Sequence, residues 1–243
     1  MTEEKFVKQV VGGLVRQTEE VERNASNKNF GKLVPALIEK GIESVNLSMF
    51  DQETREALLN EVGEECLRKG KITEAVKAFM FIGNKSKLSK IGSNYENIGL
   101  VSDALDMYVL AGDHANMRRL GTRCLSEAKF PDAIKAFKAL DDHVKLREVG
   151  EECMTREKWD AALEIFQHLG DKSKLVELGD KCFKHPFFNY AAKAYKLAGD
   201  SEKLSKLGDE CLKQGLVQTA FDIYESAGNE TMAAFIRENF MKK

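Results

Sequence analysis

Residues 171–199 read DKSKLVELGDKCFKHPFFNYAAKAYKLAG, followed by Asp200. Leu175, Leu178, Cys182 and Phe183 fall at i, i+3, i+7 and i+8, the stripe of an amphipathic helix. His185-Pro186 marks a break, because proline is poorly tolerated beyond a first helical turn. Phe188, Ala191, Ala192, Tyr195 and Ala198 form a second stripe. Gly199 suits the left-handed residue that ends a helix, and Asp171 and Asp200 suit N-caps. The stretch therefore predicts two short antiparallel helices, with Gly179 and Ala191 where they approach closely.

The same stretch recurs along the chain. Glycines stand at Gly63, Gly92, Gly121, Gly150, Gly179 and Gly208, every step equal to the one before. Alanines follow at Ala75, Ala104, Ala133, Ala162, Ala191 and Ala220, and aromatics at Phe79, Tyr108, Phe137, Phe166, Tyr195 and Tyr224. Cap pairs recur as Gly83-Asn84, Gly112-Asp113, Asp141-Asp142, Gly170-Asp171, Gly199-Asp200 and Gly228-Asn229. One helical hairpin cannot bury both its faces, whereas stacked copies can. The expected fold is all-α: a right-handed α-α superhelix of about six 29-residue hairpins spanning 55–228.

Residues 1–54 depart from the period and are expected to form an N-terminal helical capping region. Phe6, Val10, Leu14 and Val21 suggest a helix over about 3–23, and Asn24 to Asn29 a loop. Phe30, Leu33, Val34 and Leu37 suggest a second helix ending at Gly41. Phe50 falls one full period before Phe79, which raises a decayed repeat as a further possibility for this region; a segment that folds back onto the groove is the other. Residues 229–243 read as one more first helix serving as a C-terminal cap.

The 243 residues carry 37 basic and 39 acidic side chains, a net charge of -2. That balance argues against a dedicated nucleic-acid binder. Hydrophobic residues, at 43%, suffice for a core, and only three prolines occur, few for a β-sandwich. No apolar run approaches the ~18 residues a membrane span needs, and the start lacks the order of a secretory signal. A cytoplasmic, reducing location is expected. Cys66, Cys124, Cys153, Cys182 and Cys211 each lie three residues after a repeat glycine, which makes them one core position sampled five times. They form no Cys-x-x-Cys pair, and the four histidines have no ligand-spaced neighbour. No phosphate-cradling loop or nucleophile–base arrangement is evident. No metal, no cofactor and no enzymatic activity are expected.

The hairpins resemble tetratricopeptide repeats. Leu175, Leu178-Gly179 and Cys182 match that family's first helix, and Ala191, Tyr195 and Ala198 its second. Leu204, Leu207-Gly208, Cys211, Ala220, Tyr224 and Ala227 match again. The period, Gly179 to Gly208 for instance, is shorter than the ~34 residues of that family, and the family's characteristic proline is missing. Short units of this kind also look like helical repeats in large vesicle-coat and intraflagellar-transport subunits. The resemblance implies a protein-interaction scaffold whose first helices line a concave groove for a peptide or helix of a partner. By matched position the groove would present Glu64, Arg118, Arg119, Arg147, Glu151, Asp180 and Asp209. Arg118 and Arg119 with Arg123 read as a basic patch, and Glu151, Asp180 and Asp209 as an acidic stripe. The Lys/Asn clamp of chaperone-binding members is absent, since those positions hold Asn60, Ser89, Arg118, Arg147 and Glu64, Ser93, Thr122, Glu151. Alternatives are a structural subunit of a coat-like or transport assembly, and an RNA-binding helical-repeat protein. Partner identity and oligomeric state are left open.

Overall fold

A computed structural model describes residues 30–241. Fourteen α-helices and no strand occur among them. The readings of a helix over 3–23 and a loop over 24–29 lie outside the described residues. Contacts divide the chain into two units, one up to Asp113 and one from His114.

The first unit holds α1 (Leu33–Lys40), a 3-10 turn (Ile42–Ser44), α2 (Gln52–Arg68), α3 (Ile72–Phe81), α4 (Lys85–Asn97) and α5 (Val101–Ala111). Helix α1 ends at Gly41 as expected and buries Leu33, Val34 and Leu37 in a core shared with Leu58, Leu59, Val62 and Phe79. Asp51 accepts from the Thr54 backbone N–H and caps α2. Phe50 packs against this core, but no helix spans 45–51.

The second unit holds α6 (His114–Ser126), α7 (Phe130–Ala139), α8 (His143–Thr155), α9 (Trp159–His168), α10 (Lys172–Lys184), α11 (Phe188–Ala198), α12 (Ser201–Lys213), α13 (Val217–Ala227) and α14 (Glu230–Ile236). Sequential helices pack together, α6 on α7, α8 on α9, α10 on α11 and α12 on α13. The second helices α7, α9, α11 and α13 also touch in succession. First helices from α4 onward, and second helices from α3, begin at the interval of the repeat glycines. No helix among the described residues is long and apolar enough to cross a membrane.

The caps follow the sequence reading. Gly112 and Gly199 end α5 and α11 in the left-handed conformation. Asp142, Asp171 and Asp200 each accept from the backbone N–H three residues on. Asp141 takes the glycine's place with a φ of 53°.

The close approach expected at the repeat glycines is filled by a ring. A Cβ at Gly179 would first meet the ring of Tyr195. The same ring position opposes Gly63 (Phe79, 2.6 Å), Gly92 (Tyr108, 2.8 Å), Gly150 (Phe166, 2.8 Å) and Gly208 (Tyr224, 2.8 Å). At Gly121 the nearest atom is the Ala136 Cβ at 2.8 Å, with Phe137 next at 3.2 Å. The reason is side-chain direction. Long helical side chains lean towards their own N-terminus, so the aromatic covers the facing helix at the glycine's level. The small Ala191 is buried beside it.

Two substitutions test this packing by urea unfolding. In Gly179→Ala, overpacking against Tyr195 costs about 1–3 kcal/mol and outweighs the ~1 kcal/mol that alanine gains in a helix, so the midpoint falls. Ala128, in the turn between α6 and α7, has a φ of 57°. A non-glycine residue there costs about 1–2 kcal/mol, so Ala128→Gly raises the midpoint.

Candidate partner-binding surface

The residues singled out on the first helices divide between the units. Glu64 lies on α2 of the first unit. Arg118 and Arg119 lie on α6, Arg147 and Glu151 on α8, Asp180 on α10 and Asp209 on α12, all in the second. Glu64 and Asp180 are half-buried and the others are exposed.

Most of these charges first serve neighbouring hairpins. Arg118 Nη1 donates to Asp142 Oδ2 at 2.6 Å, and Arg147 Nε to Asp171 Oδ2 at 3.2 Å. Each aspartate therefore divides its work. Oδ1 caps its own helix, at 3.1 Å from the Lys145 or Lys174 N–H, while Oδ2 receives the arginine of the preceding hairpin. A carboxylate at a helix N-terminus is favoured by the helix dipole as well. Within the first unit the same positions use neutral partners: Asn84 Nδ2 donates to Asn60 Oδ1 at 3.1 Å, and Ser89 Oγ to Asp113 Oδ2 at 2.5 Å.

A second series joins the residue after the repeat glycine to a lysine of the next hairpin. Glu64 pairs with Lys87, Glu151 with Lys174 at 2.8 Å, and Asp180 with Lys203 at 2.7 Å. At the Thr122 step no acid faces Lys145, which turns to Glu148 at 2.6 Å. Asp209 has Met232 at the position of these lysines. Tyr224 Oη donates to Asp209 Oδ1 at 2.5 Å instead. Arg119 donates to Asn116 Oδ1 at 3.2 Å, and Arg123 stands 3.7 Å from Glu127. The basic patch and acidic stripe read from sequence are thus internally paired at most positions.

The third series was missed from sequence. Tyr195 Oη donates to Asp180 Oδ1 at 2.8 Å, as Tyr224 does to Asp209, and Tyr108 Oη lies 3.3 Å from Ser93 Oγ. The repeat aromatic is tyrosine where the residue following the repeat glycine is Asp or Ser, and phenylalanine where that residue is Glu64, Thr122 or Glu151. That correlation is legible in the sequence alone. Burial, and then Asp180, pushes the Tyr195 hydroxyl up, so it stays protonated and donates. Burial opposes ionisation of Asp180, but Lys203 and Tyr195 outweigh it and hold the carboxyl below its ordinary value.

The remaining polar chemistry is dispersed. All five cysteines are free and buried. Burial pushes the thiols of Cys124 and Cys153 up to about 11 and of Cys182 up to about 12, so they stay protonated. Among the described residues no group of three or more His, Cys, Asp or Glu could hold a metal ion. His114, His143, His168 and His185 are exposed. Trp159 and Phe188 are buried, as their shared repeat position suggests, whereas Phe187 is exposed. No protein-family model matches the chain, and no curated protein matches it in a sequence comparison.

The Asp180 cluster has a pH signature. An unfolded aspartate titrates near ~3.9. Because the native value is lower, the stabilisation is complete above that range and is lost as pH falls through the native value. Asp180→Asn is therefore less stable than wild type at pH 7, and the gap closes as urea midpoints are followed below about pH 4. Tyr195→Phe loses about 1 kcal/mol at pH 7.

Proposed function

We propose that the chain is a tetratricopeptide-like solenoid that holds a peptide or helix of another protein along the first helices of its second unit, with no catalytic step. The observation that carries this reading is the pair Arg118 and Arg147. They occupy one position on successive first helices, and their side chains are 59% and 48% exposed. Each is oriented by the aspartate of the next hairpin. A guanidinium has five N–H donors in a fixed fork, so a group held through one nitrogen still offers others to a ligand. Binding to a pre-oriented side chain costs less ordering entropy. Glu151 and Asp209, exposed further along, would favour a ligand of mixed charge over a purely acidic one.

The test keeps the internal contact and removes the charge. Serine already occupies the equivalent position at Ser89, where it bonds Asp113. Arg118→Ser/Arg147→Ser should fold as wild type by circular dichroism and lose the partner that wild-type protein recovers from native lysate. Equal recovery by both proteins rules this surface out.

A second reading, a structural subunit of a larger assembly, is favoured by the first unit. Met80, Phe81, Val109 and Leu110 are all exposed on α3 and α5. The positions of Met80 and Val109 hold Lys138, Gln167, Lys196 and Glu225 in the second unit. The fold does not require apolar residues there, and exposed apolar patches mark contact surfaces. On this reading, light scattering after size exclusion shows concentration-dependent assembly that Met80→Lys/Phe81→Ser abolishes. A monomer at all concentrations removes self-assembly.

A further inference from the structure

Two clefts adjoin between the second helices α11 and α13, on a surface separate from the arginine pair. One, of about 330 Å3, is walled by Phe187, Tyr190 and Leu216. The other, of about 400 Å3, has Lys193, Lys196 and Asp222 along its sides. Asn189 and Thr219 line both, so the two form one groove that is apolar at one end and charged at the other.

The earlier hairpins of the second unit act as internal controls. The positions of Phe187 and Leu216 hold Lys129 and Lys158 there. The hairpin therefore tolerates a lysine at this turn, yet Phe187 and Leu216 remain 39% and 43% exposed. Between α7 and α9 the equivalent cleft is bridged by Lys138 and Glu164 at 2.5 Å. Lys196 and Asp222 stand at those two positions, but Asp222 accepts from Gln218 Nε2 at 3.0 Å. Among the described residues neither Lys193 nor Lys196 has an ion-pair partner. Lys193 Nζ lies 5.5 Å from the centre of the Tyr190 ring. The counterpart carries an ion pair across it that this groove lacks, and two lysines border the groove.

Its apolar end is held in shape from beneath. Phe187 rests on buried Trp159 with ring centres 6.0 Å apart, and Tyr190 Oη donates to Asp160 at 2.8 Å. Fixed rings at an exposed site lower the ordering cost of binding.

We propose that this groove docks a short segment of a partner protein that carries a bulky apolar side chain and, about 9–14 Å further on, one or two carboxylates. The distance follows from a helical rise of about 1.5 Å per residue, counted from Phe187 to Lys193 and to Lys196. The apolar group fills the Phe187–Leu216 end, and the carboxylates meet Lys193 and Lys196, which are three residues apart and share a helix face.

A library of random dodecapeptides displayed on phage, selected on the full chain, tests this. Enriched peptides are then made synthetically and titrated by fluorescence anisotropy. They should combine Phe, Trp or Leu with Asp or Glu. Their affinity should fall at least tenfold in Lys193→Glu/Lys196→Glu and in Phe187→Lys, and be unchanged in Arg118→Ser/Arg147→Ser. The substituted residues already occupy equivalent positions as Glu164, Glu225 and Lys158. The lysine pair is on the surface, so its variant decides the matter even if Phe187→Lys misfolds. Failure to enrich peptides, enrichment without acidic residues, full affinity in the lysine variant, or loss in the arginine variant overturns the proposal. So does binding to phosphatidylserine vesicles in place of any peptide.

Discussion

An aromatic ring lying on the bare Cα of a glycine sets the distance between the two helices of a hairpin. Where Gly63 meets Phe79, or Gly208 meets Tyr224, a Cβ would stand 2.6–2.8 Å from ring carbon. Real side chains do not approach so closely, so even alanine would force the helices apart. With the ring seated there, Tyr108, Tyr224, Phe79, Phe137 and Phe166 are fully enclosed despite the small size of each hairpin. The cysteine three residues after the glycine fills the space beside the contact, and its burial follows from the same approach. So does the polar chemistry. The residue next to the glycine sits at the rim of the ring, which is why a tyrosine hydroxyl reaches Asp180 or Asp209.

The joint between hairpins rests on a different arrangement of groups. One aspartate closes the N-terminus of a helix with one oxygen and receives the preceding hairpin with the other. Exposed ion pairs contribute little to stability, commonly under ~1 kcal/mol. The effect of Arg118–Asp142 and Arg147–Asp171 is therefore mainly geometric: it orients long side chains that would otherwise sample many rotamers. Ser89 and Asn60 at the arginine's position keep the joint and drop the charge. The joint does not need a cation at this position, and where Val176 stands there Asp200 caps its helix without such a partner.

What could be read in the sequence follows from this division. Helix ends, the hairpin turn at His185-Pro186 and the buried stripes obey local rules of spacing and capping, and they stand where those rules put them. The ring that covers Gly179 is not given by linear spacing, which does not report side-chain direction. The Arg118–Asp142 and Asp180–Lys203 contacts span 24 and 23 residues between hairpins. No periodicity within one helix predicts them, and charges that looked like a free groove lining proved to be paired. The tyrosine–aspartate correlation lay open in the sequence but gains meaning only once the ring is known to reach the glycine.

The repeats also separate what the fold needs from what it leaves free. Glycine, aromatic and cap positions are occupied in nearly the same way in every hairpin, so they cannot distinguish one surface from another. The position of Arg118 is loosely constrained: as Asn, Ser or Arg it reaches a cap, but Val176 also stands there. The outer positions of the second helices answer to no internal partner common to all hairpins. They are Met80 and Val109 in one unit and Lys138, Gln167, Lys196 and Glu225 in the other. Selection for packing does not explain that divergence, because the hairpins pack by the same contacts. The interior is therefore constant while these outer positions pass from apolar residues to charged and polar ones, a change that the packing neither requires nor forbids.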